Sequence, residues 1–123
     1  MNNELYFYRT AIFTRQNNTV ALADIENPTK VSPLESWMGT IVSLADGKHT
    51  ISQLISLLSS RYQQVPNNLH ETIISVIERL KEGKLLELSE KAVELPYYLA
   101  SPIEELDVEK AKKLIKQDGY TLH

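Results

Sequence analysis

The chain has 123 residues, 42% of them hydrophobic, a formal net charge of −3 and no cysteine. This length supports one compact domain, with or without an appendage, and no apolar run approaches the roughly 20 residues needed to span a bilayer. The lack of cysteine excludes disulfides, thiolate nucleophiles and cysteine-based metal sites.

Three β-strands are predicted at the N-terminal end. The segment Leu5 to Arg15 is rich in aromatic and β-branched residues, which favour a strand, and the asparagines after it indicate a turn. Residues 19–25 are predicted to form a second strand, paired with the first. A turn at Asn27-Pro28 leads to a short third strand over residues 29–32. This strand is bracketed by prolines, which belong at strand ends or on sheet edges.

Three short helices follow, each with apolar residues at the three-four spacing of an amphipathic helix. Their predicted limits are Pro33 or Leu34 to Asp46-Gly47, Thr50 to about Tyr62, and Asn67 to Gly83. Ser32, Thr50 and Asn67 are the N-cap candidates. Residues 84–88 then return as a short strand, the wing of a winged helix-turn-helix.

The last third of the chain is predicted to be an extension. Ser101-Pro102-Ile103-Glu104 has the pattern of a capping box, so a fourth helix is expected from about 102 to 117. We interpret residues 1–88 as the domain and residues 89–123 as a linker with a C-terminal helix. Truncation after Ser89 is therefore expected to leave a folded domain.

Catalytic chemistry is not indicated. His49, His70 and His123 lack metal-ligand spacing, the four glycines are isolated, and no serine lies in a nucleophile-elbow sequence. The carboxylates between residues 104 and 109 are typical of a solvated helix face. We expect a non-enzymatic protein with no cofactor and no metal.

Two features allow more than one interpretation. Ile74 lies about 100° around the third helix from Ile73, so it either widens the core face or forms one wall of an apolar groove. The strand at residues 29–32 is either an ordinary protected edge or a docking site for an added strand.

The helical region resembles PqqD-like peptide chaperones and the related precursor-peptide recognition elements. The resemblance covers roughly residues 5–88. It rests on Trp37, the run Leu44-Ala45-Asp46-Gly47-Lys48-His49-Thr50-Ile51, then Leu54-Ile55, Leu58, Tyr62, Val76, Leu80 and Gly83-Lys84-Leu85-Leu86. Its sharpest elements are the Asp-Gly-x-x-Thr-Ile turn and the Gly-x-Leu after the third helix.

The resemblance implies an α+β fold, a winged helix-turn-helix of three strands and three helices, to which this chain adds a C-terminal helix. It also implies a non-catalytic adaptor that binds the leader of a ribosomally made precursor peptide. The leader would lie antiparallel along the third strand and be presented to a modifying enzyme, often a radical-SAM enzyme. The implied peptide-binding residues are Thr29, Lys30, Val31, Ser32, His70, Ile74, Ile77 and Lys81.

Two other functions stay open from sequence: a DNA-binding transcription regulator and a structural subunit of a larger complex. Residues 1–33 and 34–86 each carry zero net charge, and residues 87–123 carry five lysines and eight acids. A duplex-binding surface needs concentrated Lys and Arg, so no nucleic-acid partner is expected. No membrane partner is expected either, and MNNELYFYRT lacks a signal-peptide layout, which favours a cytoplasmic location. The extension could cover the edge strand or mediate a homodimer.

Overall fold

The computed structural model describes residues 2–17 and 19–120, and leaves the side chains of residues 28 and 29 undescribed. Within these residues the chain is a mixed α+β protein. The strands are β1 (Tyr6–Arg9), β2 (Phe13–Gln16), β3 (Thr19–Asp24), β4 (Asn27–Pro33), β5 (Asp46–Thr50) and β6 (Leu86–Ser89). The α-helices are α1 (Ser36–Leu44), α2 (Ile51–Ser59), α3 (Leu69–Glu82), α4 (Tyr97–Ala100) and α5 (Val108–Asp118), with a 3-10 helix at Ile103–Glu105.

The strands form two antiparallel three-stranded sheets, ordered β5-β1-β6 and β2-β3-β4. The prediction of a single strand from Leu5 to Arg15 is therefore wrong: the chain leaves one sheet at Arg9 and enters the other at Phe13. Thr10 explains the break, because its N–H and its hydroxyl donate to the carbonyls of Leu85 and Lys84 at 3.0 and 2.8 Å. These bonds direct Thr10 to the end of α3, and four strands rather than three precede α1.

The turn before β4 also differs from the prediction. It lies at residues 25–26, so Asn27 and Pro28 belong to the strand itself. The Asp24 carboxylate accepts the N–H of Glu26 at 2.9 Å and so closes the turn with its own side chain. This local bond outweighs the turn tendency of Asn27-Pro28.

The first two helices keep their predicted order but change their limits. Ser32 does not cap α1, because it remains in β4 opposite Leu22, and the helix begins after Glu35. Asp46-Gly47 opens β5 rather than simply turning the chain, with Gly47 at φ +79°. The Thr50 cap of α2 is confirmed as a capping box with Gln53. The helix ends at Ser59, before the predicted Tyr62.

Helix α3 begins after Asn68 rather than Asn67, and in its C-terminal turn Lys84, not Gly83, takes the left-handed conformation that glycine usually adopts after a helix. Gly83 is right-handed at φ −77°, whereas Lys84 takes the left-handed conformation at φ +61°. The N–H of Leu85 then donates to Leu80 O at 2.9 Å, which closes the helix end. The predicted strand after α3 is confirmed as β6, which pairs with β1.

The extension does not form one helix over residues 102–117. The chain makes two short helical segments before α5, whose N-cap is Asp107, with Asp107 Oδ1 accepting the N–H of Lys110 at 3.2 Å. Glu104, the expected N3 residue of a capping box, binds β2 instead. The predicted end of this helix near residue 117 is confirmed, with Asp118 the last helical residue and Gly119 left-handed at φ +69°.

Two hydrophobic cores follow from this arrangement. The larger packs β1, α1, α2, α3 and β6 around residues such as Phe7, Ile41 and Ile77. The smaller lies between the β2-β3-β4 sheet and the extension. Its buried members are Ile12, Ala23, Ile25, Tyr98, Leu99, Ile103 and Ala111. Residues 89–123, predicted as a linker with a C-terminal helix, therefore share buried surface with residues 1–88.

Arg9 connects residues 1–88 with the extension at residues 89–123. Its side chain is 3% exposed and, among the described residues, donates hydrogen bonds only to backbone carbonyls. The acceptors are Val42 O at 3.0 Å, Ser43 O at 3.2 Å, Leu99 O at 2.6 Å and Ala100 O at 2.9 Å. Burial lowers the pKa of Arg9 to about 10, although the charge of Asp46 opposes this shift. The Arg9 guanidinium thus links α4 to the end of α1 through hydrogen bonds.

Candidate peptide-binding site

The predicted docking strand is the last strand of its sheet. β4 pairs with β3 on one side, and no other strand of residues 2–17 and 19–120 pairs with its outer side. Lys30, Val31 and Ser32 are exposed, and Val31 has 45% of its surface accessible. The backbone of Thr29 belongs to β4, but its side chain lies outside the described part of the chain.

The hydrogen bonds around β3 establish which backbone groups of β4 face outward. Leu34 donates to Val20 O at 3.2 Å, and Ala23 donates to Ile12 O of the opposite neighbour at 3.0 Å. Since directions alternate along a strand, the even-numbered residues of β3 bond β4 and the odd-numbered ones bond β2. Ser32, opposite Leu22, therefore points its N–H inward. Val31, opposite Ala23, points its N–H and C=O away from the sheet.

A register irregularity limits this pattern to the C-terminal half of β4. The pairing jumps from Ala23↔Val31 to Asp24↔Asn27, so residues 28–30 form a bulge. Pro33 occupies an outward position, where its missing N–H costs the sheet nothing. Val31 is consequently the outward donor in the regular part of this edge.

The opposite edge of the same sheet is closed by the extension. The Glu104 carboxylate accepts the Arg15 N–H at 3.1 Å and the Gln16 side-chain amide at 3.1 Å, and it also accepts the Thr14 hydroxyl. Partial burial acts to raise the pKa of Glu104, but these hydrogen bonds outweigh it and the pKa is lowered. The extension thus covers β2. The sequence signal for this contact is Glu104, which the local pattern assigns to a helix cap.

The α3 residues of the predicted site divide between three environments. His70 and Ile74 line a cavity with Asn3, whose side-chain amide lies 3.2 Å from His70 Nε2. Lys81 lines a neighbouring cavity beside Leu5 and Leu88. Ile77 is 0% exposed and packs in the larger core, which does not fit a groove-facing position.

The β4 residues line a different cavity. Lys30 and Ser32 border a space of about 170 Å³ with Asp24, Leu22 and Tyr120. Tyr120 donates its hydroxyl to Thr10 O at 2.5 Å, and burial raises the pKa of Tyr120. The end of the described extension therefore lies beside one face of β4. The outer edge of β4 has no partner strand among the described residues.

Other kinds of site find little support in the described residues. No group of three or more His, Asp or Glu side chains within residues 2–17 and 19–120 is arranged to hold a metal ion. His49 is exposed and its Nδ1 lies 3.0 Å from Asp46 Oδ1, whereas His123 lies outside the described residues. In the same ranges, no helix has the length and apolar character needed to cross a membrane.

Comparison with protein-family models, curated proteins and solved structures finds no match to this chain.

Proposed function

We propose that this protein is a non-catalytic adaptor that binds a peptide segment by strand addition to β4. In this proposal the segment is the leader of a precursor peptide, and the adaptor presents it to a modifying enzyme. The helices α1 to α3 with β6 as the wing then act as a winged helix-turn-helix that recognises peptide.

One observation carries the proposal: the extension covers the β2 edge of the β2-β3-β4 sheet, whereas the β4 edge has no partner strand among the described residues. The extension closes β2, and β4 presents the outward N–H and C=O of Val31 together with the outward C=O of Pro33. An added strand gains affinity from such main-chain groups and specificity from side-chain pockets. A peptide that adds as a strand requires an exposed edge, which this sheet offers at β4 and not at β2.

The deciding experiment removes the outward backbone donor of β4. Val31→Pro deletes one N–H that points away from β3, so the sheet keeps its own bonds. Leader peptides encoded beside the gene should bind this variant more weakly by about 1–3 kcal/mol in fluorescence anisotropy. Val31→Ala is the matched control, because it trims the side chain and keeps the N–H.

The outcomes separate clearly. If Val31→Pro weakens binding and Val31→Ala largely retains it, the peptide bonds to the β4 backbone. Unchanged affinity in folded Val31→Pro protein would exclude strand addition at this edge. Ile74→Ser, at a half-buried position beside His70, tests whether the α3 cavity forms a second wall of the same site.

A further inference from the structure

A separate cavity of about 500 Å³ lies between α1 and the β2–β3 hairpin. Its polar wall consists of Arg15, Thr19, Ser36, Thr40 and Arg61. Its apolar floor is formed by Val20, Leu34 and Leu44. The volume falls within the roughly 300–1,000 Å³ of pockets that hold small molecules.

The charge of this cavity is unusual for the molecule. Among the described residues that line it there are two arginines and no carboxylate. Carboxylates line other cavities of the molecule, for example Asp24, Glu78 and Asp46. Because the whole chain has a net charge of −3, this local positive charge does not follow from composition. A low-dielectric wall next to two cations favours an anion.

The cations are available to a ligand. Arg15 makes one ion pair, with Glu105 at 3.5 Å, and both side chains are at least half exposed (50% and 59%), so the pair is weak. The Arg61 side chain has no hydrogen bond or ion pair with any residue in the described ranges. An anion could therefore engage both guanidinium groups at little cost to the fold.

The hydroxyl groups are equally available. Thr19, Ser36 and Thr40 make no side-chain hydrogen bond within residues 2–17 and 19–120, whereas Ser43 already donates to Thr40 O at 2.8 Å. No buried side-chain oxygen or nitrogen of the described residues lacks a partner, so these hydroxyls are reached by solvent. A ligand oxygen would replace water at these three groups.

We infer that this cavity binds the phosphate or carboxylate group of a small molecule whose remaining part is apolar. Guanidinium groups match both anions through paired hydrogen bonds, and the hydroxyls supply further donors. The floor of Val20, Leu34 and Leu44 accommodates the apolar part. This site does not include β4 and is independent of the proposed peptide binding.

The test titrates the full chain at low ionic strength with four probes and follows backbone amide shifts by NMR. The probes are phenyl phosphate, 3-phenylpropionate, inorganic phosphate and the uncharged 3-phenylpropanol. We expect saturable shifts at Val20, Gly39 and Thr40 with phenyl phosphate or 3-phenylpropionate, and the tighter of the two identifies the anion. Inorganic phosphate should bind more weakly because it leaves the apolar floor empty.

Two variants with the same change of charge give the decisive comparison. Arg61→Gln should weaken the better probe about tenfold or more, the scale of a charged hydrogen bond. Arg79→Gln, on the exposed side of α3, should leave the affinity unchanged. Equal losses in both variants, equally tight binding of 3-phenylpropanol, or no saturable shift with either anion would overturn the assignment. None of these outcomes bears on the Val31→Pro result.

Discussion

The two edges of the β2-β3-β4 sheet differ in how their unpaired backbone N–H and C=O groups are protected. At β2 the unpaired backbone N–H of Arg15 is satisfied by the carboxylate of Glu104, which comes from the extension. At β4 the edge is left without a partner strand in the described residues, and a bulge and two prolines interrupt it. An exposed regular edge invites association with other chains, so each device protects the protein.

The comparison shows that protection by a bulge keeps part of an edge usable. Glu104 occupies the β2 edge with its own acceptors, so a peptide would have to displace it. The bulge at residues 28–30 shortens β4 but leaves Val31 regular and outward-facing. In the proposed function, this short regular segment is where one peptide strand docks.

The largest expected effect comes from removing the extension. Truncation after Ser89 exposes Ile12, Ala23 and Ile25 and deprives Arg9 of the carbonyls of Leu99 and Ala100. We expect a loss of about 5 kcal/mol or more in the free energy of unfolding. A circular-dichroism melt measures it. A truncated chain that melts cooperatively within a few degrees of the full chain would support an independent domain at residues 1–88.

Arg9→Met should have the next largest effect. The methionine fills similar space but removes the guanidinium hydrogen bonds to four carbonyls, of which Val42 O keeps the N–H of Ala45, and it removes the contact with the Phe13 ring, 4.5 Å from the guanidinium carbon. We expect a loss of about 3 kcal/mol in unfolding free energy by denaturant titration. Arg79→Met changes an exposed arginine and should stay within about 0.5 kcal/mol. Similar small effects in both variants would show that Arg9 does not join the two regions.

Ser32→Pro should separate the inward from the outward side of β4. It removes the N–H that faces Leu22 and therefore weakens the β3–β4 ladder. The expected loss of stability is about 1–3 kcal/mol by thermal melting, whereas Val31→Pro should cost clearly less. If the two prolines lowered stability equally, the assigned alternation along β4 would be incorrect.

The smallest expected effect concerns the pH dependence of the β2 edge. Because the pKa of Glu104 is lowered in the fold, the carboxylate contributes stability above its ordinary value of about 4.5. That stability is lost as the pH falls through the lowered value. Glu104→Gln should therefore reduce the melting temperature slightly at pH 7 and have little effect at strongly acidic pH. Equal losses at both pH values would mean that the charge of Glu104 plays no part.

Much of the local structure could be predicted from the sequence. The Thr50 capping box, the apolar stripe of α3 and the left-handed stop at Gly119 depend on residues close together in the chain, so their spacing is sufficient to predict them. The errors arise where distant residues compete for the same groups. The carbonyls of Lys84 and Leu85, just after α3, accept hydrogen bonds from Thr10, and the strand-like segment is therefore divided in two. Glu104 accepts hydrogen bonds from β2 instead of capping a helix.

The candidate site likewise has one part that local sequence predicts and another that depends on tertiary contacts. The prolines around the short strand at residues 29–32 are enough to predict that β4 is an edge, because proline cannot donate to a ladder. Which N–H of that edge faces outward depends on the register with β3, and the inward position of Ile77 depends on how α3 packs. The sequence by itself determined the order of α1 to α3 and the approximate position of the edge strand, since periodicity and proline chemistry are local. Only the tertiary structure decided that the extension closes β2 and leaves β4 open, because that choice rests on contacts between residues about 90 positions apart.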